Sequence, residues 1–163
     1  MSLFALDPGS LDDSESVGAI SPYAPPMHEI VHELTIAGSP QQIFDAVTTQ
    51  EGLSQWWTKD ATASPELDSI ETIRLEDGNE LKLRIDLIES PELVHWECVE
   101  GPREWVGTTI ALRIEGLEGR SVLRFWHGGW PYADGVMPRC SFEWAMRLDS
   151  LRRYVETGVG SPT

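Results

Sequence analysis

The chain has 163 residues, enough for one domain with a buried core and short for two. Twelve basic residues against 27 acidic ones give a formal net charge of −15, a field that repels nucleic-acid phosphates and anionic headgroups, so neither nucleic acid nor a membrane is expected as a partner. Hydrophobic residues at 40% exclude disorder of the whole chain, and the seven tryptophans are an excess that the fold or the function must use.

Residues 1–26 are rich in Ser, Gly, Pro and acids and read as a flexible acidic arm. The arm carries Asp7, Asp12, Asp13 and Glu15 with no Lys or Arg, unlike a signal peptide, and no later segment reaches the ~18 apolar residues of a membrane span. A cytoplasmic location is expected. The folded domain is expected over residues 27–163. It opens with His28 to Ile36, where Ile30, Leu34 and Ile36 fall on one face of a strand. Ser39-Pro40-Gln41-Gln42 then predicts a helix start, with Ser39 as N-cap, proline in the first helical position and Gln42 closing a capping box. Ile43, Phe44 and Val47 form the apolar face of that short helix, and a second short helix after Gly52 carries Leu53, Trp56 and Trp57.

A run of strands follows. One spans about Ser69 to Leu75 and turns through Glu76-Asp77-Gly78-Asn79 into a second, where Leu81, Leu83, Ile85 and Leu87 alternate with polar residues. Val94, Trp96 and Cys98 share the inward face of a third, and Val106 to Ile114 form a fourth, at whose start Trp105 points outward by parity with Thr109 and Ala111. After the turn at Glu115–Arg120, the last strand runs from Ser121 to His127; Gly128 and Gly129 break it, and Trp130 with Pro131 begins a loop over the interior. Finally Trp144, Leu148, Leu151 and Val155 form one helical stripe, Glu143 and Arg147 an i,i+4 pair and Gly158 a stop, which predicts a helix from about Pro138 to Thr157. The order predicts an α+β fold, an antiparallel sheet of about six or seven strands with one face covered by the terminal helix and two short helices after strand one.

From about Met27 to Pro162 the chain resembles the START-like, helix-grip superfamily, and within it the family similar to the activator of Hsp90 ATPase. The resemblance rests on "SPQQIFDAVTTQEGLSQWWT", "LVHWECVEGPREWVGTTIAL", "LRFWHGGW" and "WAMRLDSLRRYVETGVGSP". It implies a curved sheet gripping the C-terminal helix around a hydrophobic cavity, in a superfamily whose members bind lipids, sterols, polyketides or hormones and in some cases catalyse cyclisation or dehydration. The chain departs from that pattern in having no glycine in Lys59–Leu75, soon after the double tryptophan.

On that fold, strand parity turns Phe125, His127 and Trp96 inward, and Trp144 sits on the helix stripe that faces the sheet. With Trp130, Phe44 and Leu148 they are expected to wall a cavity for a small apolar ligand, the alternative being that Trp96 and Trp144 are plain core; of Trp56 and Trp57 one is expected to enter the cavity, and Trp57 is the candidate. His127 either hydrogen-bonds a ligand carbonyl or hydroxyl, or is satisfied by a protein partner at the end of the sheet. Trp126 falls outward beside Arg124 and suggests a contact between two copies of the chain. No catalytic set, no metal set and no cofactor motif is evident: His28 and His32 in "HEIVH" lie on a strand, not on a zinc-binding helix, and Cys98 and Cys140 read as reduced thiols. Cys140 stands near the helix start, where the dipole lowers a thiol pKa. Two other functions stay open, a cyclase or hydratase using His127 as acid or base, and a co-chaperone-like interaction domain.

Overall fold

The computed structural model describes residues 27–163, and the acidic arm lies outside them. His28–Ile36 forms β1, Pro40–Thr48 α1, Gln50–Trp56 α2, Ala61–Thr62 β2, Ile70–Arg74 β3, Glu80–Glu89 β4, Leu93–Glu100 β5, Thr109–Leu117 β6, Arg120–Trp130 β7 and Val136–Thr157 α3. The seven strands make one antiparallel sheet in the order β1-β7-β6-β5-β4-β3-β2. The chain is thus a meander from β2 to β7, and β1 closes on β7 at the far edge. Register shifts in β1 and at two places in β4 bend the sheet, and α3 lies in its concave face against β1, α1 and α2.

The alternation expected from sequence is what divides the two faces. Leu81, Leu83 and Ile85, then Val94 and Trp96, then Ile110, Leu112 and Ile114 are all buried, on the face of the sheet that the helices cover. On the outer face Arg124 of β7 reaches Glu33 of β1 and Glu115 of β6, and Lys82 pairs with Glu100, so charge faces water along the same strands. The helices start and stop where the sequence places them. Ser39 Oγ accepts from Gln42 N–H while the Gln42 side chain accepts from Ser39 N–H, both bonds of the capping box. Gly158 ends α3 in the left-handed region, its N–H donating to Tyr154 O at 2.7 Å. Gly52 lets α2 cross α1 closely, since a Cβ there would meet the Ala46 backbone at 2.6 Å. No helix of the described residues is long and apolar enough to cross a membrane.

Three expectations are corrected. The glycine pair does not break the last strand: Gly128 still pairs with Glu29 and Thr109, and β7 continues to Trp130. Because His28 faces Trp130 and Glu29 faces Gly128, Gly129 is an extra residue on β7, with φ +91°. That bulge turns Trp130 inward beside His127, where strict alternation would have put the two on opposite faces. Trp105 is 6% exposed, not outward, because residues 102–107 form a turn and β6 begins only at Thr109, so strand parity does not reach it. The terminal helix starts two residues earlier than expected, at Val136.

Gly129→Ala is expected to cost about 1–3 kcal/mol, since it forces a left-handed backbone and a Cβ 3.3 Å from Thr108 Cα. Gly128→Ala, with only Glu29 Cβ at 3.7 Å, should leave stability nearly unchanged. Chemical denaturation of the two variants checks the contrast.

Candidate functional site

The interior is organised around the imidazole of His127, which is fully buried. Trp144 on α3 donates its indole N–H to His127 Nδ1 at 3.0 Å, which leaves the proton on Nε2. Nε2–H then donates to Thr108 Oγ1 at 2.8 Å, and the Thr108 hydroxyl donates to Trp105 O at 2.6 Å. Trp130 closes the group by donating to His127 O at 3.0 Å. Rings pack around this chain of bonds, with Trp105 4.7 Å and Trp130 4.6 Å from the imidazole and Phe125 4.5 Å from Trp144, centre to centre. Burial holds His127 neutral, its pKa pushed down to about 3. Both ring nitrogens are occupied, so while these bonds stand the imidazole has no free nitrogen for a ligand or a proton transfer.

In front of this cluster lies an open cleft of about 740 Å³ between α3 and the rim of the sheet. Its back is Trp56, Trp57 and Trp105; the rim comes from Arg74–Asp77, Pro102 and Glu104, and the helix side from residues of α3 between Val136 and Arg153. Trp57 meets Trp144 edge-on at 5.0 Å, and the Arg147 guanidinium lies 5.6 Å from both of those rings. Trp56 is fixed by its indole N–H on Ala46 O at 2.7 Å. The tail after α3 returns over α2: Ser161 N–H donates to Ser150 Oγ, Ser150 to Trp56 O, and Thr163 N–H to Trp57 O. The tryptophan pair is therefore held from the helix and from the C-terminus at once. Cys140 also lines the cleft; burial raises its thiol pKa, contrary to the expected lowering, because the apolar surroundings outweigh the helix end.

A second titratable group is sealed inside. Glu71 of β3 is fully buried, and neither carboxyl oxygen has a hydrogen-bond partner among the described residues; the Trp96 indole N–H also lacks one. Burial raises the Glu71 pKa well above the carboxylate range, and the nearby Trp96 offsets only part of this. Glu71 is thus a neutral acid in an apolar wall.

Of the residues expected at the site, Phe125, His127, Trp130 and Trp144 do come together, and they fill the space between them with their own rings. Trp57 stands at the cleft, while Phe44, Trp96 and Leu148 are buried elsewhere in the same core. Sequence reasoning missed Trp105, Arg147 and Glu71. Arg147 was legible: it lies three residues after Trp144 and four before Leu151, on the buried stripe itself. Glu71 alternates with Ile73, but Ile70 on the opposite parity made the five-residue strand ambiguous.

A curved antiparallel sheet wrapped on a long terminal helix over an aromatic interior is the helix-grip architecture. The family model for activator of Hsp90 ATPase homolog 1-like proteins matches residues 37–156, and the chain belongs to that family. It is similar to the Aha1 dimer from Colwellia psychrerythraea, at 30% identity and TM-score 0.75 over 82% of this chain and 99% of that one. A Staphylococcus saprophyticus protein (19% identity, TM-score 0.70, 83% of this chain and 98% of that) and one from Mesorhizobium loti (15%, TM-score 0.67, 77% and 95%) share the fold. No curated protein matches the sequence.

The two buried groups predict opposite pH effects. His127 is neutral in the folded chain but protonates near pH 6.5 when unfolded, so stability is lost as pH falls from there toward 3, by roughly 1.4 kcal/mol per pH unit. His127→Leu should remove that acid limb, at a cost of about 2–3 kcal/mol at pH 7 from the orphaned Trp144 N–H. Glu71 is protonated when folded but ionises near pH 4.5 when unfolded, so its contribution is lost as pH rises above that value toward its raised folded pKa. Glu71→Gln should raise the melting temperature at pH 8 and leave it nearly unchanged at pH 4. Thermal unfolding across pH 3–9 measures both.

Proposed function

We propose that this protein binds a small apolar molecule in the cleft between α3 and the rim of the sheet. The observation that supports this best is the opening itself, about 740 Å³ and backed by three tryptophans, two held by the helices and tail and Trp105 held through Thr108. That volume is within the range of sites that take small ligands. Phe125, His127, Trp130 and Trp144 then act as the packed wall behind the ligand, and His127 serves by fixing Trp105, Trp130 and Trp144. This favours binding over acid–base catalysis at His127, whose two nitrogens are engaged.

The reading is tested by native mass spectrometry of the purified chain together with tryptophan fluorescence during titration with apolar ligands. A co-purified mass or a saturable fluorescence change is expected, weakened about tenfold by Trp105→Ala, which removes one wall of the cleft. An empty protein whose fluorescence ignores the whole panel overturns it.

A second reading, self-association, is supported by the outer face of the sheet. Trp126 there is flanked in register by Val31, 56% exposed, and Ala111, an apolar row beside the charged Arg124 row. The relative from Colwellia is itself a dimer. Sedimentation equilibrium should give a dimer that Trp126→Glu converts to monomer; a monomeric wild-type chain removes this reading.

A further inference from the structure

The cleft holds one cation placed unlike the others. Arg74 and Arg153 on its rim are committed to well-formed ion pairs, with Asp60 and Glu80 for the first and Asp149 for the second, and Arg139 is exposed, its donors open to water. Arg147 is not. Its side chain is only 22% exposed, and Nη1 is sealed from water with no hydrogen-bond partner among the described residues. Its ion-pair partner, Glu143, approaches Nη2 at 3.7 Å, beyond hydrogen-bond length. The faces of Trp57 and Trp144 offset part of the desolvation, and burial lowers the guanidinium pKa, but π faces cannot satisfy in-plane N–H donors.

A planar fork of donors, half-sealed against indole rings at the side of an apolar opening, matches one kind of ligand group. We propose that the cleft takes a small apolar monocarboxylic acid, with its carboxylate on the Arg147 guanidinium and its apolar body against Trp57 and Trp105. This rests on the ligand-binding reading above and narrows it to a chemical class. Charge selects against more highly charged ligands: Glu76, Asp77, Glu104, Glu143 and Asp149 also line the opening, and a phosphate dianion would meet their repulsion twice over. A single negative charge meeting a bidentate donor bears the least of it. Glu143 is then a competitor for Arg147, displaced when the ligand carboxylate enters.

The test is calorimetric titration of the full chain with 2-naphthoate and dodecanoate and with their neutral amides. The acids should bind at one site at least tenfold more tightly than the amides, as charge-assisted hydrogen bonds to a buried arginine require. Arg147→Met, which keeps the stem packed on the two rings, should weaken acid binding about tenfold or more and amide binding, whose carbonyl makes the weaker bond, far less; Arg147→Lys should recover only part of the loss, for want of the planar fork. Glu143→Gln should tighten the acids a few-fold and leave the amides alone, and that gain should shrink in the Arg147→Met background, as competition for Arg147 requires and general relief of repulsion does not. Acids and amides binding equally, with Arg147→Met indifferent, overturns the assignment to Arg147 and leaves the ligand-binding reading standing. If neither acids nor amides bind, both fall.

Discussion

The hydrogen bond from the Trp144 indole to His127 Nδ1 joins the two layers of this fold, and much else depends on it. The helix face that packs on the sheet is apolar, and apolar contact is not directional. One polar bond at its centre fixes where the helix sits along the sheet and which tautomer the imidazole adopts. The tautomer then dictates that Nε2–H reaches Thr108, and Thr108 in turn holds the carbonyl of Trp105. The turn that carries Trp105, already joined to β5 by backbone bonds between Cys98 and both Gly107 and Thr108, is thereby tied to the aromatic core as well. Closing the chain of donors also removes the penalty of burying each of these groups alone.

The same interior tolerates two groups that are not satisfied. Glu71 and Arg147 lie at different depths, the acid in the sheet wall and the guanidinium at the mouth, and each escapes part of its desolvation differently. A carboxyl can take a proton and become neutral; an arginine cannot, and leans on aromatic faces and a distant carboxylate. A folded chain that has a marginal net stability keeps such a residue at a cost.

The chain's order of elements was legible because each element carries its own local signal. Ser39 and Gln42 mark a helix start by hydrogen bonds within four residues, Gly158 marks a stop by backbone freedom, and the β4 and β5 alternation follows from a pleat of period two. The errors fall where that local logic stops. Parity was extended from β6 back to Trp105 through a turn, and the glycine pair was read as a break although its partners on β1 and β6 keep the strand going. The turn was marked by Gly101-Pro102 and Gly107 and was overridden by strand parity, whereas the bulge at Gly129 depends on what lies opposite it.

The sequence by itself determined the fold class, the family, the inward set Trp96, Phe125, His127 and Trp144, and the charged outer face, since periodicity and capping are local and are written in adjacent residues. Only the tertiary structure decided that these aromatics close on one another, that His127 spends both nitrogens inside the protein, and that the open space lies instead at the rim beside Arg147. The reason is that burial and vacancy are properties of pairs of elements. Whether two inward rings enclose a hollow or fill it depends on the distance between helix and sheet, which no single stretch of sequence contains.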